Sequence, residues 1–167
     1  MAIKVAINGF GRIGRAFYKL ARTRPELEIV AVNDLGDPEN MSYLLKYDTA
    51  YGKADFDIVV THDGEAGFMD GDHKVLLVQE KDATKLPWKE YNIDIVVEST
   101  GFFTTYDKAE VHLTAGAKRV VITAPAKGTP TEGVTAAMVL MGINNDKLKT
   151  CQTVIILKSL KLTEPHT

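Results

Sequence analysis

The chain has a single cysteine, Cys151, so no intramolecular disulfide framework can staple it. Neither sign of charge dominates: 20 Lys and Arg stand against 22 Asp and Glu, a net charge of −2. Duplex nucleic acid calls for clustered Lys and Arg, and with no basic block here no nucleic-acid partner is expected. No apolar run reaches the roughly 18 residues of a membrane span, so no membrane partner is expected either. Histidine is scarce, at four residues. His62, His73, His112 and His166 lack metal-ligand spacing, no Cys–His cluster accompanies them, and each reads as a surface residue. Met1-Ala2-Ile3-Lys4-Val5 leads straight into a strand pattern without the long apolar stretch of a signal peptide. The expected location is cytoplasmic. Internal repeats and low-complexity segments are also lacking.

What is present is an ordinary globular composition. The 167 residues are 45% hydrophobic and 25% charged, enough for one domain with its own core. Ile3 to Asn8 is a short β-branched run that reads as a buried parallel strand. Gly9-Phe10-Gly11 follows. Arg12 to Arg24 then has Ile13, Ala16, Phe17, Leu20 and Ala21 at helical spacing, until Pro25 stops it. Leu27 to Asn33 is the next strand, which completes a βαβ unit. Asp37 to Lys46 reads as a helix with Pro38 in its first turn and Met41, Leu44 and Leu45 as its apolar positions. Phe56 to Thr61 and His73 to Gln79 are strand-like, and the glycines between them (Gly64, Gly67, Gly71) predict hairpins. Lys85 to Trp88 leads into a short helix, with Trp88 as a packing aromatic. Strands follow at Ile93 to Glu98, Lys118 to Thr123 and Met138 to Gly142. Lys108 to Ala115 forms a helix closed by Gly116. Asp70 and Asp72 flank Gly71 and read as turn chemistry. Alternating strands and helices predict an α/β fold, a Rossmann-type doubly wound and mostly parallel sheet with helices on both faces.

Gly9-Phe10-Gly11-Arg12-Ile13-Gly14 matches G-x-G-x-x-G and sits between a predicted strand and a predicted helix, the context its mechanism requires. Gly9 takes the tight turn, Gly11 lets backbone approach a pyrophosphate, and Gly14 lets the helix pack closely on the strand. The helix start offers free N–H groups to the phosphates. Asp34 lies twenty residues after Gly14, at the end of the second strand, where a carboxylate accepts hydrogen bonds from the adenine ribose hydroxyls. A 2′-phosphate there would meet negative charge, so Asp34 favours NAD over NADP. Thr100 and Gly101 end the strand before them, and Thr123 ends the next. Open α/β sheets bind ligands outside the carboxyl ends of strands. The ligand expected is a dinucleotide.

These residues resemble phosphorylating glyceraldehyde-3-phosphate dehydrogenase. Ala6-Ile7-Asn8-Gly9-Phe10-Gly11-Arg12-Ile13-Gly14-Arg15 looks like that family's opening, as does Ala31-Val32-Asn33-Asp34. Leu44 to Thr49 with Tyr51-Gly52, Leu86-Pro87-Trp88, Glu98 to Phe103, His112-Leu113 through Gly116-Ala117-Lys118, Thr123 to Lys127 and Met141-Gly142-Ile143-Asn144 follow in family order. The resemblance covers roughly residues 1–150. It implies an NAD-binding Rossmann domain there, with 151–167 a divergent tail and no independent domain. It also implies roles: Arg12 and Ile13 contact the pyrophosphate through their backbone, Asn8 and Asp34 lie around the adenosine half, and Lys81 lies near the adenine. Thr100, Gly101, Phe103 and Thr123 line the rest of the cofactor groove.

The family's nucleophile is the cysteine of Ser-Cys-Thr-Thr-Asn, and this sequence departs from that motif. In register, Ser159 stands for the serine, Leu160 for the cysteine, and Lys161-Leu162-Thr163 for the last three residues. Cys151 comes too early and reads as a thiol leading into a strand, not as a nucleophile. The family's second half, with its catalytic histidine and substrate-phosphate arginine, is not matched within these 167 residues. The chain alone is therefore expected to bind NAD without oxidising the aldehyde, and to self-associate through surface that a second domain would cover. Three readings stay open: part of a glyceraldehyde-3-phosphate or erythrose-4-phosphate dehydrogenase, a non-catalytic nucleotide-binding or interaction module, and a half that regains activity with a separately supplied catalytic half.

Overall fold

The computed structural model describes residues 1–62, 64–139 and 142–151, with the backbone of 154–157. Ser159 to Thr163 and His166 lie outside the described residues. The chain alternates strand and helix: β1 (Ile3–Asn8), α1 (Arg12–Ala21), β2 (Leu27–Asn33) and α2 (Pro38–Lys46). A two-residue ribbon of β3 (Tyr47–Asp48) and β4 (Gly52–Lys53) follows, then β5 (Ile58–Thr61), β6 (Gly67–Asp70) and β7 (His73–Val78). The last part holds β8 (Ile95–Glu98), α3 (Tyr106–Ala109), α4 (Val111–Thr114), β9 (Arg119–Ile122), β10 (Ala136–Val139), α5 (Lys147–Thr150) and β11 (Val154–Leu157).

Among the described residues one sheet has nine strands in the order β10-β11-β9-β8-β1-β2-β7-β6-β5. All pairings from β10 to β7 are parallel, and β5-β6-β7 form the antiparallel meander that the glycine spacing predicts. β11 lies between β10 and β9, so the sheet continues past Thr150. The strand order reverses between β1 and β8: the chain builds outward through β2 and β7, then returns to the other side of β1. Crevices at such a reversal, outside the carboxyl ends, are the usual ligand sites of open α/β sheets.

The strands are apolar because both faces of the sheet are covered, and adjacent residues point to opposite faces. Ile7 and Val32 pack with Tyr18 and Ala21 of α1, Met41 and Leu45 of α2, and Phe68 and Val75. Their neighbours Ala6 and Ala31 face the opposite cluster, with Trp88, Ile93, Val96 and Ala115.

Helix α1 corrects one expectation. Ile13 and Leu20 are 53% and 70% exposed, while Gly14, Tyr18 and Ala21 are buried. A Cβ at Gly14 would lie 2.2 Å from the Gly9 carbonyl oxygen, so position 14 has to face the turn. Positions 18 and 21 then face inward, one and two turns on, and 13 and 20 face water. The helix also ends at Ala21 rather than Arg24, and Arg22 turns aside to Asp70.

Other differences are local. The strand at Met138 to Gly142 is β10, Ala136–Val139, with 140 and 141 outside the described residues. The helix at Lys108 to Ala115 starts earlier, at Tyr106, and breaks at Glu110. It closes at Gly116, whose φ is +105 and where a Cβ would crowd Lys89. The short helix expected beyond Lys85 to Trp88 is instead a run of turns that ends at Asn92, whose φ is +54, and a 3-10 turn capped by Asp82 lies before that segment, at Ala83–Lys85.

Asp70 is an anchor rather than a turn residue. Its carboxylate accepts Arg22 Nε at 2.8 Å, Arg22 Nη2 at 2.6 Å and Tyr18 Oη at 3.0 Å, and the Arg22 guanidinium lies 3.8 Å over the Phe56 ring. The Arg22 hydrogen bonds hold the Asp70 carboxyl below its ordinary range. A carboxyl depressed in the folded state stabilises above its unfolded pKa and loses that contribution as pH falls through the folded value. Asp70→Asn is expected to cost about 1–3 kcal/mol at neutral pH, in urea unfolding. The gap from the parent chain should close below about pH 4. A gap constant from pH 7 to pH 2 would refute the ion pair's role.

Candidate functional site

The loops at the carboxyl ends of β1, β2, β7 and β8 surround a cleft of about 430 Å³. Gly9 and Gly11 come from the β1 turn, Asp34 and Leu35 from the end of β2, Glu80 and Lys81 from the end of β7, and Thr100, Phe102 and Phe103 from the β8 loop. Asn8 and Asn33 close the floor. Of the candidates from the sequence, Asn8, Gly9, Gly11, Asp34, Lys81, Thr100 and Phe103 meet at this one cleft.

The remaining candidates do not line it. Arg12 and Ile13 open α1 on its exposed rim. Gly14 is buried beneath the turn. Gly101 is exposed at φ +80. Thr123 follows β9, and its N–H and Oγ1 both donate to the Glu98 carbonyl at 3.0 Å. Cys151 is 2% exposed and packs by Val139, Val121 and Leu148, away from the cleft.

Three glycines serve the turn for three reasons. Gly9 has φ +92, and a Cβ there would sit 2.6 Å from Thr100 N, so the β1 turn and the β8 loop touch through backbone. Gly14 has the close contact with Gly9 described above, and Ser99 Oγ fastens the same carbonyl at 2.6 Å. Gly11 meets nothing within 4 Å. Its missing side chain leaves open space on the cleft side of the helix start.

Asp34 has a double attachment. Oδ2 accepts Phe10 N at 2.6 Å and Oδ1 accepts Gly36 N at 2.9 Å. A carboxylate has about four acceptor positions, so each oxygen keeps one for a ligand. The carboxylate is fixed in place by backbone yet still able to accept two hydroxyl hydrogens.

The surface reading of the histidines fails for His112, which is 0% exposed. It joins a buried polar group with Asn8, Asn33 and Glu98, behind the cleft. The signal available in sequence was one polar residue closing each of three apolar strands. Nothing in the spacing indicated that a histidine on α4 would meet them. His73 is exposed, with Nε2 2.8 Å from the Ile29 carbonyl, and His62 is exposed.

The contact of Gly14 with Gly9 makes a direct prediction. Gly14→Ala is expected to push α1 off the turn, lowering stability and disordering residues 9–12. Amide exchange of that turn would reveal it. Parental exchange at 9–12 in a folded Gly14→Ala chain would disprove the close-packing argument.

Residues 3–106 match the family model described as glyceraldehyde 3-phosphate dehydrogenase, NAD binding domain. Glyceraldehyde-3-phosphate dehydrogenase 2 of Bacillus subtilis is 45% identical over 156 residues, which is 93% of this chain and 43% of that protein. The Thermotoga maritima glyceraldehyde-3-phosphate dehydrogenase is 47% identical over 154 residues, 91% of this chain and 44% of that protein. That of Geobacillus stearothermophilus is 46% identical over 147 residues, 88% and 41% respectively. The chain thus spans less than half the length of these relatives. No helix among the described residues is long and apolar enough to cross a membrane. With the parallel sheet, the glycine turn and the Asp34 carboxylate meeting at one cleft, the match shows that this chain belongs to the NAD-binding domain family of glyceraldehyde-3-phosphate dehydrogenase, with NAD as its cofactor.

Proposed function

We propose that NAD lies across the carboxyl ends of β1, β2, β7 and β8 and that the chain is the cofactor-binding part of an enzyme oxidising glyceraldehyde 3-phosphate with NAD and phosphate. The observation that carries this reading is Asp34: a carboxylate held by two backbone N–H groups, with one acceptor position left on each oxygen, at the edge of a largely apolar cleft. Vicinal ribose hydroxyls need such a pair of acceptors. Leu35, Ala83, Phe102 and Phe103 offer apolar walls for a flat base, and Lys81 stands on the same side. The pyrophosphate would cross Gly11, where no Cβ obstructs it, and meet the first turn of α1, including the backbone of Arg12 and Ile13. Asn8, Gly9, Gly14, Thr100, Gly101 and Thr123 complete or support the groove. When bound, NAD supplies the hydride acceptor; this chain's residues bind and orient it.

Bond-making is assigned elsewhere. Aldehyde oxidation through a covalent intermediate needs a thiol within reach of substrate, and Cys151, the one cysteine of this sequence, is buried away from the cleft. That burial favours a second reading for the chain alone, a nucleotide-binding module without catalysis. Erythrose 4-phosphate as substrate is a variant of the first reading, and activity restored by a separate catalytic half is a third. Co-expression with such a half, followed by an acyl-phosphate assay, tests the third, and no activity above background sinks it.

Calorimetric titration of the purified chain tests the site. NAD is expected to saturate, NADP to bind at least about tenfold more weakly because its 2′-phosphate faces Asp34, and Asp34→Ala to weaken NAD by a similar factor. Gly11→Ala should fold with parental stability yet lose affinity, since its Cβ disturbs nothing but an approaching ligand. Equal affinity for both dinucleotides, or full affinity in Gly11→Ala, would sink this placement.

Under this reading the location is cytoplasmic and no nucleic-acid partner is expected. The exposed Tyr43, Tyr51, Phe102 and Ile143 support self-association through apolar surface. Sedimentation velocity is expected to show larger species as concentration rises. A constant monomer up to about 100 µM, ample for a micromolar contact, would reject it.

A further inference from the structure

Of the carboxylates at the cleft or behind it, Asp34 and Glu98 differ most in what they have left to give. Asp34 keeps an acceptor position on each oxygen. Glu98 keeps none: it is 2% exposed and takes four donors. Oε2 accepts Asn8 Nδ2 at 2.6 Å and His112 Nε2 at 2.9 Å. Oε1 accepts the N–H of Thr100 at 2.8 Å, and also its hydroxyl.

The donors fix one another's orientation. Indole Nε1 only donates, and Trp88 Nε1 donates to His112 Nδ1 at 3.2 Å. That nitrogen therefore carries no proton, so the ring is the Nε2–H tautomer with its proton aimed at Glu98. Asn8 Oδ1 accepts Asn33 Nδ2 at 2.7 Å, and Asn33 Oδ1 accepts Glu80 N at 3.0 Å. On the cleft side, Thr100 Oγ1 accepts Phe102 N at 3.0 Å. The Phe103 ring rests 5.5 Å from the His112 ring, centroid to centroid.

Neither Glu98 nor His112 lines the cleft, yet both bond or touch residues that do. We propose that Glu98 and His112 are positioning residues for the dinucleotide site, holding the Thr100–Phe103 loop from beneath, by Thr100 and by Phe103, in the shape that receives the cofactor. This rests on the reading that the cleft takes NAD. The physical basis is the cost of a buried carboxylate, which is offset only while every donor stays in place. The loop is one of those donors, so its conformation is coupled to α4 through His112.

The test compares His112→Leu with His112→Gln. Glutamine retains a donor toward Glu98 and an acceptor for Trp88; leucine matches the bulk and has neither. Two quantities are read: amide exchange at Thr100–Phe103 in NAD-free chain, and the NAD Kd. His112→Leu is expected to speed loop exchange and weaken NAD, each by about tenfold, the scale of one lost hydrogen bond to a buried charge. His112→Gln should stay within about threefold of parent on the same scale. Leu45→Ala, a core variant in the cluster on the opposite face of the sheet, serves as the stability control. If it changes loop exchange and Kd as much as His112→Leu at equal loss of stability, the role is merely structural and the proposal falls.

Should His112→Leu not fold, Thr100→Val and Thr100→Ser carry the test from the other end. Serine keeps the hydroxyl bridge between Glu98 and Phe102 N, and valine removes it. Weaker NAD binding and faster exchange at Phe102 in the valine variant, restored in the serine variant, support the proposal; identical behaviour of the two overturns it. A parental chain that fails to bind NAD would overturn the cofactor reading alone, with the exchange arm still deciding whether the loop is held this way.

Discussion

At Gly14 a helix rests on a turn with no space for even a methyl group, 2.2 Å separating its hypothetical Cβ from the Gly9 carbonyl oxygen. Much of the structure depends on that approach. It sets the rotation of α1, which puts Tyr18 and Ala21 in the core and leaves Ile13 and Leu20 in water. It also brings the start of the helix to the point where the strand order reverses, next to Ser99 and Thr100 of the β8 loop. The cleft exists because two backbones, at Gly9 and Thr100, meet without side chains between them.

The electrostatics of the site follow from how completely each carboxylate is satisfied. Asp34 is held by backbone and left half open, which suits a group that must bind hydroxyls repeatedly without moving. Glu98 is enclosed and fully occupied, which suits a group that shapes a loop and never meets ligand. Asp70, at the opposite ends of the strands, is committed to Arg22 and Tyr18 and ties α1 to β6. Three acidic residues of one chain thus do three kinds of work, set by their donors rather than by their own chemistry.

Much of this was legible in the residues. The βαβ unit, the glycine turn, Asp34 and the alternation of strands and helices are local or near-local patterns, and each reports its own geometry. Less legible were features decided between distant segments. The apolar positions of α1 suggested an inward Ile13 and Leu20, because periodicity reports which residues are apolar and not how close a backbone must come. His112 carried no pattern, since its partners Trp88 and Glu98 lie 24 and 14 residues away. Asp70 looked like turn chemistry because it stands beside Gly71, while Arg22 lies 48 residues distant.

The sequence by itself determined the class of fold and named most of the residues that gather at the cleft, because glycine, proline and β-branched residues restrict their own backbones and G-x-G-x-x-G leaves few alternatives. Tertiary structure alone decided the rotation of α1, the burial of His112, and the division between an open Asp34 and a closed Glu98. These depend on which hydrogen-bond donors arrive from other strands and helices. No residue's local preference encodes the arrival of a partner from elsewhere in the chain.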